Sequence, residues 1–118
     1  MLIMVCNQTL AIVFNMLQNL HSIWEKHNIK KAYLFGSYAR NEQTPTSDID
    51  FLIEHDSNFS LFNLINLQLD LEKELNIDVD LISTNSISKF LKNSINTDKI
   101  LIYSQNRVLI KTELLQNE

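Results

Sequence analysis

The chain has a single glycine, Gly36, among 118 residues. Average usage is roughly 7%, so a sequence this poor in glycine has kept its one example where backbone freedom is required. Gly36 directly follows Lys30 to Phe35, a short aromatic and apolar run that reads as a buried strand meeting a tight turn. Lacking a Cβ, glycine adopts positive φ and lets another group approach closely. Ser37 follows at a position suited to cap a short helix through Tyr38, Ala39 and Arg40. Unpaired N–H groups at a helix start attract the terminal phosphates of a nucleotide. Taken alone, a Gly-Ser pair justifies only a plain capped turn.

The sequence around this turn alternates between helical and strand patterns. Leu10, Val13, Phe14, Leu17, Leu20 and Trp24 recur at three- and four-residue spacing, which predicts an amphipathic helix from Thr9 to Trp24 ending near His27-Asn28. Asn41 to Ser47 has the composition of a loop, and Asp48 to Ile53 reads as a second strand. Leu61, Leu64, Ile65, Leu71 and Leu75 mark a second long helix with Glu72 and Glu74 on its wet side and Asn76 as its cap. A third strand is expected over Asp78 to Ile82, a helix over Ser86 to Ile95 and a fourth strand over Lys99 to Ser104. The tail from Gln105 to Glu118 fits either a helix or a frayed end that binds a partner. Strands alternating with helices imply an α+β (α/β) domain built on one small mixed β-sheet flanked by helices. The length suits one domain over 1–118, with its core at about 10–104.

Asp48 and Asp50 stand at i and i+2 of the second strand, so its period of two places both carboxylates on one face. Holding two like charges beside Ile49, Phe51, Leu52 and Ile53 is costly unless a cation neutralises them. Oxygen-only ligands suit Mg²⁺ or Mn²⁺ rather than zinc. The third strand offers Asp78 and Asp80 with the same parity. Asp78, just after the helix cap, reads as an ordinary loop aspartate, whereas Asp80 is enclosed by Val79, Leu81 and Ile82 and has no turn to serve. With Asp80, the two strands would supply a triad able to hold two metal ions about 3.5–4 Å apart, the arrangement that activates a hydroxyl and stabilises charge on a phosphate. Phosphoryl transfer asks for little beyond positioning and positive charge.

Composition bounds the remaining possibilities. A net charge of −4 argues against broad binding of nucleic acid, and Lys30-Lys31, the only adjacent basic pair, reads as a solvated strand start. The single cysteine, Cys6, cannot form an internal disulfide, which fits the cytoplasm and a role as small apolar filler. Leu2 to Cys6 is too short for a secretory core, and no apolar run reaches membrane-spanning length. His21, His27 and His55 lack ligand-like spacing, and Trp24 belongs to the apolar stripe of the first helix.

Gly36-Ser37, ten further residues, then Asp48-Ile49-Asp50 resembles the G-S-x10-D-x-D signature of the DNA polymerase β-like nucleotidyltransferases. The stretches Tyr33 to Arg40, Ser47 to Ile53 and Val79 to Ile82 look like the minimal nucleotidyltransferase (MNT) branch, with the likeness spanning about residues 10 to 103. The resemblance implies the polymerase β-like fold, ATP as substrate and two Mg²⁺ ions. It assigns the triphosphate to Gly36 and Ser37, the metals to Asp48 and Asp50, and to Asp80 a place in the metal triad from which it orients the attacking hydroxyl. Arg40 matches an arginine of the family that contacts phosphate or substrate, although a surface ion pair is an equally good account of it. The branch is usually encoded with a helical HEPN-domain partner, and it includes antitoxins that adenylylate a tyrosine of a HEPN ribonuclease toxin. That reaction is the function expected here.

Two departures stand out: many relatives have a basic residue at the place of Tyr38 and a glycine at that of Asn41. Asn41 tolerates the left-handed conformation, so the turn survives the second change. Two other functions fit the same sequence, a non-catalytic antitoxin that occludes its toxin and a transferase acting on a small molecule such as an antibiotic. The small size favours the protein acceptor, because a bare core lets a partner supply the other wall of the site.

Overall fold

The computed structural model describes residues 15–84 and 95–105. In chain order it contains α1 (His21–Lys26), β1 (Lys31–Phe35), β2 (Ile49–Glu54), α2 (Leu61–Leu75), β3 (Val79–Ser83) and β4 (Ile100–Ser104). Cys6, residues 9–14 of the first expected helix, most of the helix expected before Ile95 and the tail beyond Gln105 lie outside the described residues. No helix among the described residues is long and apolar enough to cross a membrane.

The four strands form one mixed sheet in the order β3-β2-β1-β4. β1 pairs antiparallel with β2 and with β4, whereas β2 pairs parallel with β3, with α2 as the crossover between them. Alternation along β2 decides the layering. Ile49, Phe51 and Ile53 are fully buried on the face shared with Ala32, Leu34, Val79 and Tyr103, and they form one cluster with Leu20, Trp24, Ile29, Leu67 and Leu71. The Trp24 ring meets Phe51 edge-on at 5.3 Å, so α1 and α2 both cover this face. Burying a side chain of this size contributes about 1.5–3 kcal/mol, which makes this layer the main source of stability.

Two helical expectations need correction. The first helix is not continuous: residues 15–18 are helical, a turn occupies 19–20, and α1 follows. There the Leu20 N–H donates to the Leu17 carbonyl at 3.1 Å, three residues back, a tighter turn that drives Leu20 fully into the core. In α2, the buried stripe runs through Leu64, Leu67, Leu71 and Leu75, and the expected Leu61 and Ile65 are 70% and 45% exposed. The helix has more apolar residues than one face can hold, and packing against Val79 and Phe51 selects the other stripe. Its far end is as expected, with Asn76 closing the helix at φ 56°, and at its start the Ser60 hydroxyl accepts from the Asn63 N–H at 3.2 Å. Glu72 is not simply solvated, since its carboxylate accepts from the Val79 N–H at 3.0 Å and so ties α2 to the start of β3.

Candidate active site

β1 ends where β2, β3 and β4 begin, and the residues singled out by the sequence collect at this end of the sheet. The parallel register sets Asp50 directly beside Asp80, and the antiparallel register sets Phe35 on the other side of Asp50. Asp48 lies one residue before β2, on an approach fixed by the Ile49 N–H donating to the Asp78 carbonyl at 2.9 Å. Asp78 therefore serves the sheet through its backbone, as expected of a loop aspartate.

Gly36 meets two demands at once. Its φ is +75°, which other residues rarely adopt, and a Cβ there would overlap the Asp50 carboxylate, lying 3.1 Å from its carboxyl carbon. The glycine thus leaves room for the aspartate of the next strand. The helix expected after Ser37 is instead a single helical turn: Arg40 N–H donates to the Gly36 carbonyl at 3.1 Å, and Glu42 N–H to the Ser37 carbonyl at 2.8 Å. Asn41 at φ 58° then turns the chain away before a second turn can form. A macrodipole needs length, so what the turn can offer an anion is its first N–H groups, which have no partner within it. The loop beyond is braced where the Ser47 hydroxyl accepts from the Thr44 N–H at 2.8 Å, immediately before Asp48.

The carboxylates perturb one another. The Asp50 carboxyl is pushed up to about 6, first by burial, then by the charges of Asp80 and Asp48 and a hydrogen bond with Asp80, with Arg40 pulling the other way. Asp48 and Asp80 are exposed, so the cluster opens to solvent on both sides of a shielded centre. Among the described residues, no three His, Cys, Asp or Glu side chains already form a metal cage. The donor set nevertheless fits a hard divalent cation: three carboxylate side chains gather where their mutual repulsion raises Asp50, and a cation would relieve it.

Arg40 is engaged in ion pairs, to Asp98 at 2.7 Å and Glu42 at 3.3 Å. Sequence reasoning missed Asp98, because no local spacing links residues 58 positions apart. The histidines make side-chain contacts within the fold, and Trp24 lies in the core, as its place in the apolar stripe predicts. His27 bonds Asp70 at 2.6 Å, His55 bonds the Ser83 hydroxyl at 2.8 Å, His21 pairs with Glu25, and Trp24 is core. Lys30 pairs with Asp56 at 2.9 Å across the surface.

Similar proteins share this architecture. The family described as polymerase beta, nucleotidyltransferase matches residues 18–108. A Methanocaldococcus jannaschii protein named "putative protein adenylyltransferase" is 52% identical over 79 residues, covering 66% of this chain and 81% of its own. Two solved structures share the fold. One is described as a toxin-antitoxin with AMP-PNP, at 22% identity and a TM-score of 0.66, over 88% of this chain and 87% of the other. The second is described as a tri-AMPylated Shewanella oneidensis HEPN toxin in complex with MNT antitoxin, at 20% identity and a TM-score of 0.61, over 86% and 87%.

Proposed function

This chain belongs to the polymerase β nucleotidyltransferase family, and from that premise we propose that it is the antitoxin of a HEPN-domain toxin, acting by transferring AMP from ATP to a tyrosine hydroxyl of that toxin. The observation that carries the reading is the row across the sheet, with Asp50 seated under Gly36 and beside Asp80, and Asp48 at the open end. Asp48, Asp50 and Asp80 are the side chains that would hold Mg²⁺, or Mn²⁺ in its place. Bound there, the ions would neutralise the three carboxylates and stabilise charge on the α-phosphate.

The chain's own residues supply the rest. Gly36 and Ser37 bind the triphosphate through the backbone of the turn, where the absent Cβ allows close approach. Arg40 adds positive charge at the same rim. Asp80, an exposed carboxylate, orients the tyrosine and takes its hydroxyl proton as the oxygen bonds to the α-phosphorus. The bond from that phosphorus to the bridging oxygen then breaks, and pyrophosphate leaves with its electron pair. The exposed stripe of Leu61, Phe62, Ile65 and Leu69 and a site open to solvent on both sides suit an acceptor that is itself a protein. A transferase that uses ATP and has a single cysteine suits the cytoplasm.

Mass spectrometry of the co-expressed HEPN partner tests the proposal. The wild type is expected to leave one or more AMP units on a partner tyrosine, and the Asp48→Asn, Asp50→Asn double variant none. An unmodified partner that is nevertheless neutralised by both proteins would establish occlusion instead. A modified free antibiotic beside an unmodified partner would establish a small-molecule transferase.

A further inference from the structure

We propose that Asp98 is a positioning residue for nucleotide binding, holding Arg40 at the rim of the carboxylate cluster so that the remaining donors of its guanidinium meet a polyphosphate. The inference rests on the nucleotide-binding reading above and adds to it a residue that no spacing in the sequence indicates.

The contact joins the two chain segments that flank the site. Ile100, which opens β4, pairs with Leu34 of β1, so Asp98 lies two residues before one strand and Gly36 two residues beyond the paired position on the other. Both anchors are fixed by backbone bonds. The Arg40 N–H donates to the Gly36 carbonyl at 3.1 Å, and on the other side the Lys99 N–H donates to the Ile95 carbonyl at 2.8 Å. Between these anchors Arg40 Nη1 donates to an Asp98 carboxylate oxygen at 2.7 Å, a charge-assisted bond of short length.

Arg40 has a second acidic neighbour, Glu42, and the two contacts are unequal. The Asp98 side chain is 18% exposed and its bond is short, whereas the Glu42 side chain is 65% exposed and its bond with Nε spans 3.3 Å. Exposed pairs of the second kind contribute little, so Asp98 sets where the guanidinium sits. Neither bond uses Nη2, and a guanidinium carries five N–H donors in a fixed fork. An arginine on a long flexible stem would lose considerable rotamer freedom on meeting a phosphate; one already held by Asp98 has lost it beforehand.

The test measures binding of a non-hydrolysable ATP analogue with Mg²⁺ by calorimetry, alongside steady-state transfer to the HEPN partner. Asp98→Ala is expected to weaken nucleotide binding and raise KM for ATP about tenfold, with kcat changed less than about twofold. Asp98→Glu should restore most of the affinity, and Asp98→Asn, which keeps the shape and loses the charge, should fall between. In an Arg40→Gln background, Asp98→Ala should add less than about twofold, because its effect passes through the arginine. Unchanged or improved binding in Asp98→Ala, or full additivity with Arg40→Gln, would overturn the inference. Asp48→Asn separates this failure from failure of the parent reading. If Asp48→Asn abolishes transfer while Asp98→Ala binds normally, only the role of Asp98 is lost; if Asp48→Asn transfers normally, the nucleotidyltransferase site itself is wrong.

Discussion

Near its start the strand β2 faces two ways, and there the side chains on its two faces are built on opposite principles, although Leu52, further along on the Asp50 side, is buried as well. Ile49, Phe51 and Ile53 are fully buried against Trp24, Leu67 and Leu71, where each contact removes apolar surface from water. One residue out of phase, Asp50 is packed beside Asp80 and near Asp48, where each neighbour raises the cost of its charge. The first set is satisfied by the chain alone. The second is left under electrostatic tension that only something from outside can relieve, and that marks it as the candidate site. Stability and chemistry are thus separable along one strand, and substitutions on its two faces should fail in different ways.

The largest effect is expected on the acidic side. Asp80→Asn should lower AMP transfer on the order of a thousandfold in a timed assay, while its thermal midpoint stays close to that of the wild type, because the side chain is exposed and outside the core. Phe51→Ala should do the reverse, costing about 3–5 kcal/mol of unfolding free energy in a urea titration. A large loss of stability in Asp80→Asn would break the separation. Gly36→Ala tests the place where the two sides meet, since its Cβ would strain a φ of +75° and displace the Asp50 carboxylate together. A loss of about 1–3 kcal/mol in stability accompanied by a loss of transfer is expected.

The smallest effect is on pH dependence. In the fold Asp50 keeps its proton up to about 6, compared with an ordinary value of 3.8, so the folded state binds more protons than the unfolded one between these values. Stability therefore falls as pH rises through that window, and the penalty persists above it. In chelator-treated protein, Asp50→Asn should be more stable than the wild type at pH 8 by about 1 kcal/mol, after solvent screening, and should lose that advantage near pH 3.5. Equal stability at both pH values would mean that the repulsion is not there.

How much of this was legible in the sequence depended on whether the deciding interaction was local. Gly36-Ser37 with Asp48 and Asp50 was visible because turn chemistry and strand parity act over a few residues. The Asn76 cap, the strand carrying Asp80 and the left-handed Asn41 were legible for the same reason. The rotation of α2 was not. Leu61 and Ile65 make as good a helical stripe as Leu67 and Leu71, and only the sheet beneath decides between them. The pairing of Arg40 with Asp98 and the hold of Glu72 on Val79 depend on the fold bringing distant segments together. The helix expected after Ser37 is held to one turn because Asn41, at φ 58°, ends it.

The most direct test of the central claim, that this acidic row is a metal-assisted site for nucleotidyl transfer, uses ATP radiolabelled either at the α-phosphate or at the γ-phosphate. The purified chain is incubated with its HEPN partner and Mg²⁺, with and without chelator, as the wild type and as Asp50→Asn. Label is expected on the partner from α-labelled ATP only, lost with chelator and lost in Asp50→Asn. Label arriving from the γ-phosphate, or α-label transferred equally well by Asp50→Asn, would contradict it.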